Sequence, residues 1–264
     1  MDNFIALAAS AFYLLAIANI VPALAHQTGI KVKTVFTCAM LALVFHAWLM
    51  FDLIFADSVN NLSILNVASL MSFIISFAMS SSMLKNRLWF MLPIVYAFAV
   101  VNLLAANFTP VTVGKHLQDD AKLLLHIGLA LTSYCILIVA ALYSIQLAWL
   151  DHKLKCKKAL AINPNLPPLM LVERQLFKIL IAGTVLLTGT LLTGYLFVQG
   201  IYAEENAHKA ILSFVAWLVY LILLWGHYQR GWRGRLVTWF CVSGSAILTL
   251  GYFGSRFVSE VILR

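Results

Sequence analysis

Apolar residues in this chain come in long runs, broken by short clusters of charge or turn-forming residues. Eight such runs stand at about 4–25, 34–55, 63–84, 88–107, 123–150, 176–200, 209–228 and 236–255. Each approaches or exceeds the roughly 20 residues that carry an α-helix across hydrocarbon about 30 Å thick. The breaks include the stretch from His26 to Lys31 and the triplet Lys85-Asn86-Arg87. The longest break, Asp151 to Gln175, contains Asn163-Pro164-Asn165-Leu166-Pro167-Pro168, which cannot continue a helix. The pattern predicts an all-α polytopic membrane protein: a bundle of about eight transmembrane helices forming a single transmembrane domain over residues 1–264.

Composition narrows the class. Of 264 residues 62% are hydrophobic and 11% charged, and the mean hydropathy is +0.93. That is roughly 164 apolar side chains, far beyond the share in a soluble domain of this length. A soluble enzyme with a conventional core, a disordered chain and a nucleic-acid-binding module are all excluded. The breaks leave no room for a separate soluble domain.

The net charge of +8 is distributed unevenly. Lys31, Lys33, Lys85, Arg87, Lys153, Lys155, Lys157, Lys158, Arg174, Lys178, Arg230, Arg233 and Arg235 lie at one set of span ends, against the acids Asp151 and Glu173. The other ends carry five bases (Lys115, Lys122, Lys209, Arg256 and Arg264) against eight acids. Because cytoplasmic loops retain Lys and Arg, the basic ends are expected in the cytoplasm and both termini outside. Trp89, Trp149, Trp225, Trp232 and Trp239 fall at or near the same inner interface, where indoles concentrate. Ala23-Leu24-Ala25 looks like a signal-peptide cleavage site, yet no basic residue precedes the first run and that run exceeds a signal h-region, so an uncleaved first span is expected.

Cys38, Cys135 and Cys241 lie inside spans and Cys156 in an inner loop, with no C-x-x-C pair. A thiol-disulfide relay and a protein carrying its own C-x-x-C-H haem attachment are therefore excluded. Splitting eight spans four and four preserves orientation, so halving the chain yields no inverted repeat of the transporter kind, and no internal repeat is evident. No phosphate loop, nucleophile-base pair or zinc signature is present, so no enzyme and no catalytic residue is expected.

Function must rest on the few polar groups within the spans, which are costly in lipid. His46 lies near the middle of span two, His126 near the outer end of span five and His227 near the inner end of span seven. At about 1.5 Å rise per residue, His126 and His227 are separated by most of the membrane and cannot share a metal ion. Each could instead donate to a carbonyl on a neighbouring helix. Asp52 and Arg256, near the outer ends of spans two and eight, are expected to pair with each other or with water. His26, His116, His152 and His208 are expected to be solvated in loops. Asn66, Ser69, Ser72, Ser76 and Ser80 occupy a sector of roughly 120° on span three. Such a stripe suits close helix packing, with a water-lined path as the alternative. Asn102 and Asn107 in span four are expected to be interhelical hydrogen-bonding groups.

Two inner-side stretches are more specific. Leu166-Pro167-Pro168-Leu169 continues through Glu173-Arg174-Gln175-Leu176-Phe177-Lys178 into span six, which contains Leu191-Leu192-Thr193-Gly194. Span seven carries Ser213-Phe214-Val215-Ala216-Trp217-Leu218-Val219-Tyr220 and His227-Tyr228, followed by Gly231-Trp232-Arg233-Gly234-Arg235. With His126 near the start of span five, and with Leu65-Asn66-Val67-Ala68-Ser69-Leu70 and Leu92-Pro93-Ile94-Val95-Tyr96-Ala97-Phe98-Ala99, this order resembles the cytochrome c assembly superfamily of CcsA and HemX-like proteins. It is most similar to the YpjD-type branch of bacterial inner-membrane proteins.

The resemblance implies a multi-pass protein of the bacterial inner membrane that handles haem. His46 and His227 match the two membrane histidines of that superfamily and His126 its first outer one. Lys209 and Trp217 match the Lys and Trp that follow its outer loop. Two family features have no counterpart. The loop expected to carry W-x-W-D reads Tyr202-Ala203-Glu204-Glu205-Asn206-Ala207-His208-Lys209, and the stretch expected to hold a second outer histidine reads Gly251-Tyr252-Phe253-Gly254-Ser255-Arg256-Phe257-Val258. A loop with two glutamates offers little stacking surface to a flat macrocycle. The resemblance therefore implies haem held inside the bundle by the imidazoles of His46, His126 or His227, without covalent catalysis. The alternative is an accessory subunit that has lost haem binding and stabilises or regulates another membrane protein. A small-solute transporter using the serine face is a weaker third, since no broken pair of spans and no buried acid-base relay is evident.

Overall fold

Helices form where the apolar runs lie, because a backbone in hydrocarbon must bond to itself. The computed structural model describes residues 2–25, 29–55, 64–84, 89, 91–108, 121–155, 168–197 and 204–254. These contain α1 (Asp2–Ala25), α2 (Val32–Phe55), α3 (Ile64–Ser82), α4 (Leu92–Phe108), α5 (Ala121–Lys155), α6 (Leu169–Phe197), α7 (Glu204–Arg230) and α8 (Arg235–Thr249), and α8 ends in a π-helical turn, Leu250–Gly254. No strand occurs among the described residues. Among the described residues seven helices are long and apolar enough to cross a membrane, and the apolar helix α4 is shorter. Its 17 residues reach about 26 Å.

Two helices outrun their apolar cores. Pro168 ends the preceding break, and its carbonyl accepts bonds from the N–H groups of Leu171 (3.0 Å) and Val172 (3.3 Å). As a result α6 starts at Leu169, seven residues before the apolar run, and carries Glu173, Arg174 and Lys178 on its first turns. At the end of α5, Lys155 reaches back one turn to Asp151 at 2.7 Å. Cys156, His26, His116 and Arg256 lie outside the described residues, and with Arg256 any pairing to Asp52.

The chain divides into two compact units, one built on α1–α4 and the other on α5–α8. In the first, α1 packs on α2 and α4, and α3 packs on the same two, closing a ring of four neighbours. Alanines 6, 9, 16, 39 and 42 are buried, which lets these backbones approach. Phe12 stacks on Phe45 at 5.8 Å, and Asn107 donates to the Asn3 side chain at 2.8 Å, joining α4 to α1. Asn102 instead donates to the carbonyl of Phe98 on its own helix. The span-three stripe is buried along its whole length, from Asn66 to Ser80, and Ser80 bonds the Tyr96 hydroxyl of α4 at 2.8 Å. It is a packing face.

The second unit closes the same ring, with contacts α5–α6, α6–α7, α7–α8 and α8–α5. Hydroxyls bridge three of its seams. Thr238 donates to the carbonyl of Ser144 at 3.1 Å, and Ser245 to that of Leu137 at 3.3 Å. Since the Ser245 hydrogen points at Leu137, the Tyr220 hydroxyl donates to Ser245 at 2.9 Å. Trp217 donates its indole N–H to Thr188 at 2.9 Å. Large apolar side chains such as Phe4, Trp48, Val101, Leu192, Ile222 and Trp239 are exposed, as befits surface that meets lipid.

Gly183 shows how tight the α5–α6 seam is. A Cβ there would lie 2.7 Å from Leu137 Cδ2 and 3.1 Å from Ile136 Cγ2. Gly128, on α5, has nothing within 4 Å. The two alanine substitutions should therefore differ in sign. Gly183→Ala should cost about 1–3 kcal/mol by overpacking. Gly128→Ala should be neutral or stabilising, by up to about 1 kcal/mol, because alanine is the better helix former. Thermal unfolding in detergent, with Leu137→Ala added to relieve Gly183→Ala, measures both.

Candidate functional site

The three histidines occupy three different environments. His46, on α2, is fully buried in the first unit. Its Nε2 meets the Ser69 hydroxyl at 3.1 Å and its Nδ1 meets the Tyr13 hydroxyl at 3.2 Å. Tyr13 and Phe73 contact the ring in edge-on geometry, at 6.0 and 5.4 Å between centroids. Both nitrogens are thus engaged by α1 and α3, and neither presents a free lone pair.

His126, near the start of α5, packs against α6. The Thr193 hydroxyl has the carbonyls of Gly189 (2.9 Å) and Thr190 (3.1 Å) as acceptors for its own hydrogen, and the Thr190 carbonyl also interacts with the His126 ring, an arrangement that favours the imidazole as the donor to Thr193. His126 Nδ1–H is that donor, at 3.1 Å. A neutral imidazole protonated at Nδ1 carries its lone pair on Nε2, which has no hydrogen-bond partner among the described residues.

His227 reaches the same state by a different route. It lies in the last turn of α7, and Nδ1–H donates to the carbonyl of Trp232 at 3.0 Å. That carbonyl is held in place by the local chain. Gly231 has φ +65°, a left-handed conformation that ends α7, and its N–H bonds back to the His227 carbonyl at 3.1 Å. The Trp232 N–H bonds to the Gly226 carbonyl at 3.2 Å, and its indole lies directly over Gly226 and 5.3 Å from Phe240. A residue with any side chain at 226 would meet the indole. Phe177 of α6 covers one face of the His227 imidazole, with centroids 3.4 Å apart and planes within 14°. One turn before it, Glu173 pairs with Arg233 at 3.1 Å, tying the start of α6 to the α7–α8 connection. His227 Nε2 has no hydrogen-bond partner among the described residues.

His126 and His227 are not brought together. Their α6 partners, Thr193 and Phe177, are 16 residues apart, or about 24 Å of helix. No group of three or more His, Cys, Asp or Glu able to hold a metal ion occurs among the described residues. What the second unit presents is two separate imidazoles, each with Nδ1 held in a hydrogen bond and Nε2 without a hydrogen-bond partner among the described residues. That is the state in which histidine ligates a metal, the hydrogen bond at the other nitrogen fixing the tautomer and raising basicity.

A family model described as Cytochrome C assembly protein matches residues 34–263. The chain belongs to that family. The match spans all three histidines and most of both four-helix units. Among curated relatives, the inner membrane protein YpjD of Escherichia coli K12 is 50% identical over 97% of this chain and 98% of its own length. The YpjD of Escherichia coli O157:H7 matches to the same extent. An uncharacterised 28.8 kDa protein of Azospirillum brasilense is 32% identical over 53% of the chain. No solved structure matches. The family member described here is a multi-pass protein of the bacterial inner membrane.

Tyr13, Phe177 and Glu173 were not among the sequence candidates. Tyr13 carried no signal, because nothing in the linear pattern pairs it with His46. The Gly231-Trp232-Arg233-Gly234 stretch did carry one, since a glycine just past a helix end is the mark of a left-handed cap.

Replacing Gly231 by alanine puts a Cβ where φ is positive. Gly231→Ala should lower stability by about 1–2 kcal/mol, and Gly231→Asn by less. In ¹⁵N-histidine spectra the His227 signal should show protonated Nδ1 in the wild type and lose that preference in Gly231→Ala. A wild-type signal protonated at Nε2 would overturn this assignment of the tautomer.

Proposed function

We propose that this protein binds and handles haem inside the membrane bundle, with imidazole as the iron ligand and without covalent catalysis. The observation that carries this reading is the state of His126 and His227: Nδ1–H is held by Thr193 and by the Trp232 carbonyl, and Nε2 has no hydrogen-bond partner among the described residues. The donor chemistry fits haem iron. His227, with Phe177 stacked on its ring, and His126 would each hold iron through one nitrogen, at opposite ends of the second unit. Bound haem would supply an iron centre able to exchange axial ligands and electrons. His46 could join only by giving up its bond to Ser69 or Tyr13.

Membership of the cytochrome c assembly family supports the same reading. The protein purified in detergent with haem supplied should show a Soret band. The band should weaken or shift in His126→Ala and in His227→Ala, with added imidazole restoring it, and change least in His46→Ala. No band, or a band indifferent to all three substitutions, would sink the proposal.

A second reading, an accessory subunit for another membrane protein, is favoured by the enclosure of His46, a membrane-histidine position turned over to packing. Crosslinking in native membranes separates the two: a stoichiometric partner without a chromophore supports the accessory role.

We also infer that the basic ends face the cytoplasm, putting His227 at the inner surface and His126 at the outer one. A C-terminal alkaline phosphatase fusion should then be active and a C-terminal green fluorescent protein fusion dark. The opposite pattern inverts the assignment.

A further inference from the structure

The first unit contains buried polar groups that the haem reading does not use. They lie in order along the α3 stripe. At one end Ser69 meets His46, and His46 meets Tyr13 (3.1 and 3.2 Å). At the other, Ser80 meets the Tyr96 hydroxyl at 2.8 Å. The two phenol rings are neighbours, 5.3 Å apart and tilted by 34°. Between these clusters on α3 stands Ser76. Its hydroxyl is fully buried and has no hydrogen-bond partner among the described residues, although it lies near the Tyr13 hydroxyl. A serine inside a helix can usually satisfy itself on the carbonyl one turn back, and this one does not. A buried hydroxyl left unpaired costs about 1–3 kcal/mol. The position therefore calls for another polar group.

We propose that Ser76, directly or through one internal water, joins the two clusters into a continuous proton relay: Ser69, His46, Tyr13, Ser76, Tyr96, Ser80. The path advances 11 residue steps along α3, from Ser69 to Ser80, about 16 Å or half the hydrocarbon thickness. Every member is fully buried. Imidazole is the member that makes the relay reversible, because it has two interchangeable proton arrangements. In one, Tyr13 donates to Nδ1 and Nε2–H donates to Ser69. In the other, Ser69 donates to Nε2, Nδ1–H donates to Tyr13, and the phenol hydrogen turns towards Ser76. Passing from one to the other breaks Tyr13 O–H and Nε2–H and forms Nδ1–H and a new Ser69 O–H; Tyr13 regains a hydrogen from the Ser76 side, and water gives up one proton at the Ser80 end and takes up the displaced Ser69 hydrogen at the other, so no relay group is left charged. Tyr13 and Ser69 are the hydrogen-bond partners of His46 among the described residues; neither carries a charge that would trap the proton, and the Ser69 carbonyl, an acceptor only, makes a protonated nitrogen facing Ser69 the resting arrangement. A water at Ser76 would find Ser76 and Tyr13 as polar partners, with the Tyr96 ring beside that of Tyr13.

The relay does not depend on haem, and its test needs none. The full chain is labelled with ¹⁵N-histidine, placed in lipid nanodiscs and moved to D₂O, and deuteration of the His46 ring N–H is followed by NMR, with His46→Gln identifying the signal. Exchange within minutes is expected in the wild type. Ser76→Ala should slow it at least tenfold, and Tyr96→Phe should slow it too, while both leave the His46 hydrogen bonds in place. The direction is diagnostic: a substitution that only loosened packing would speed exchange. A wild-type ring that stays protonated for a day, or variants that exchange as fast as the wild type or faster, would overturn the proposal.

Discussion

In hydrocarbon a polar hydrogen has no solvent to turn to, and the organisation of this protein follows from that constraint. Backbone groups satisfy themselves by forming helices. The hydroxyls and imidazoles that remain must find protein partners, and they select which helices meet. Ser80 reaches Tyr96, Thr238 reaches the Ser144 carbonyl, and Ser245 links α8 to both α5 and α7. Leucine and valine, as apolar as the lipid, carry little preference for inside over outside, and many lie on the exposed surface. The order of a soluble core is thus partly inverted: small and hydroxyl-bearing residues hold the interior seams.

The same rule explains how the three histidines diverge. His46 found partners on two sides and became part of the packing. His126 and His227 each found a partner on one side only, which leaves Nε2 without a hydrogen-bond partner among the described residues. The difference is set by the neighbours and not by the histidines. Thr193 acts as acceptor because its own hydrogen is already committed to α6.

The helices were legible in the apolar runs because length alone decides whether a segment can cross a bilayer. The serine stripe of α3 was legible as a packing face because its helical spacing is regular. The start of α6 was not, since the deciding contact is a proline carbonyl outside the apolar run. The two rings of four helices escaped the sequence for another reason: the same neighbour order arises from different side chains in each unit, so no repeated motif marks it. At the candidate site, the positions of the histidines could be read from the chain, but their protonation states depend on contacts from residues as far apart as His126 and Thr193. His227 is the exception, its acceptor being five residues away.

That short separation has a consequence for motion. The His227 imidazole, the Trp232 carbonyl and the Gly231 cap belong to a single hairpin, so the proton position is encoded locally. If α6 slid or tilted against α7, Phe177 would leave the ring face while the nitrogen available for bonding stayed the same. His126 has no such independence, because displacement of α6 removes Thr193 and with it the reason for its tautomer. Under such a displacement one end of the second unit would keep its hydrogen-bond pattern and the other would lose it.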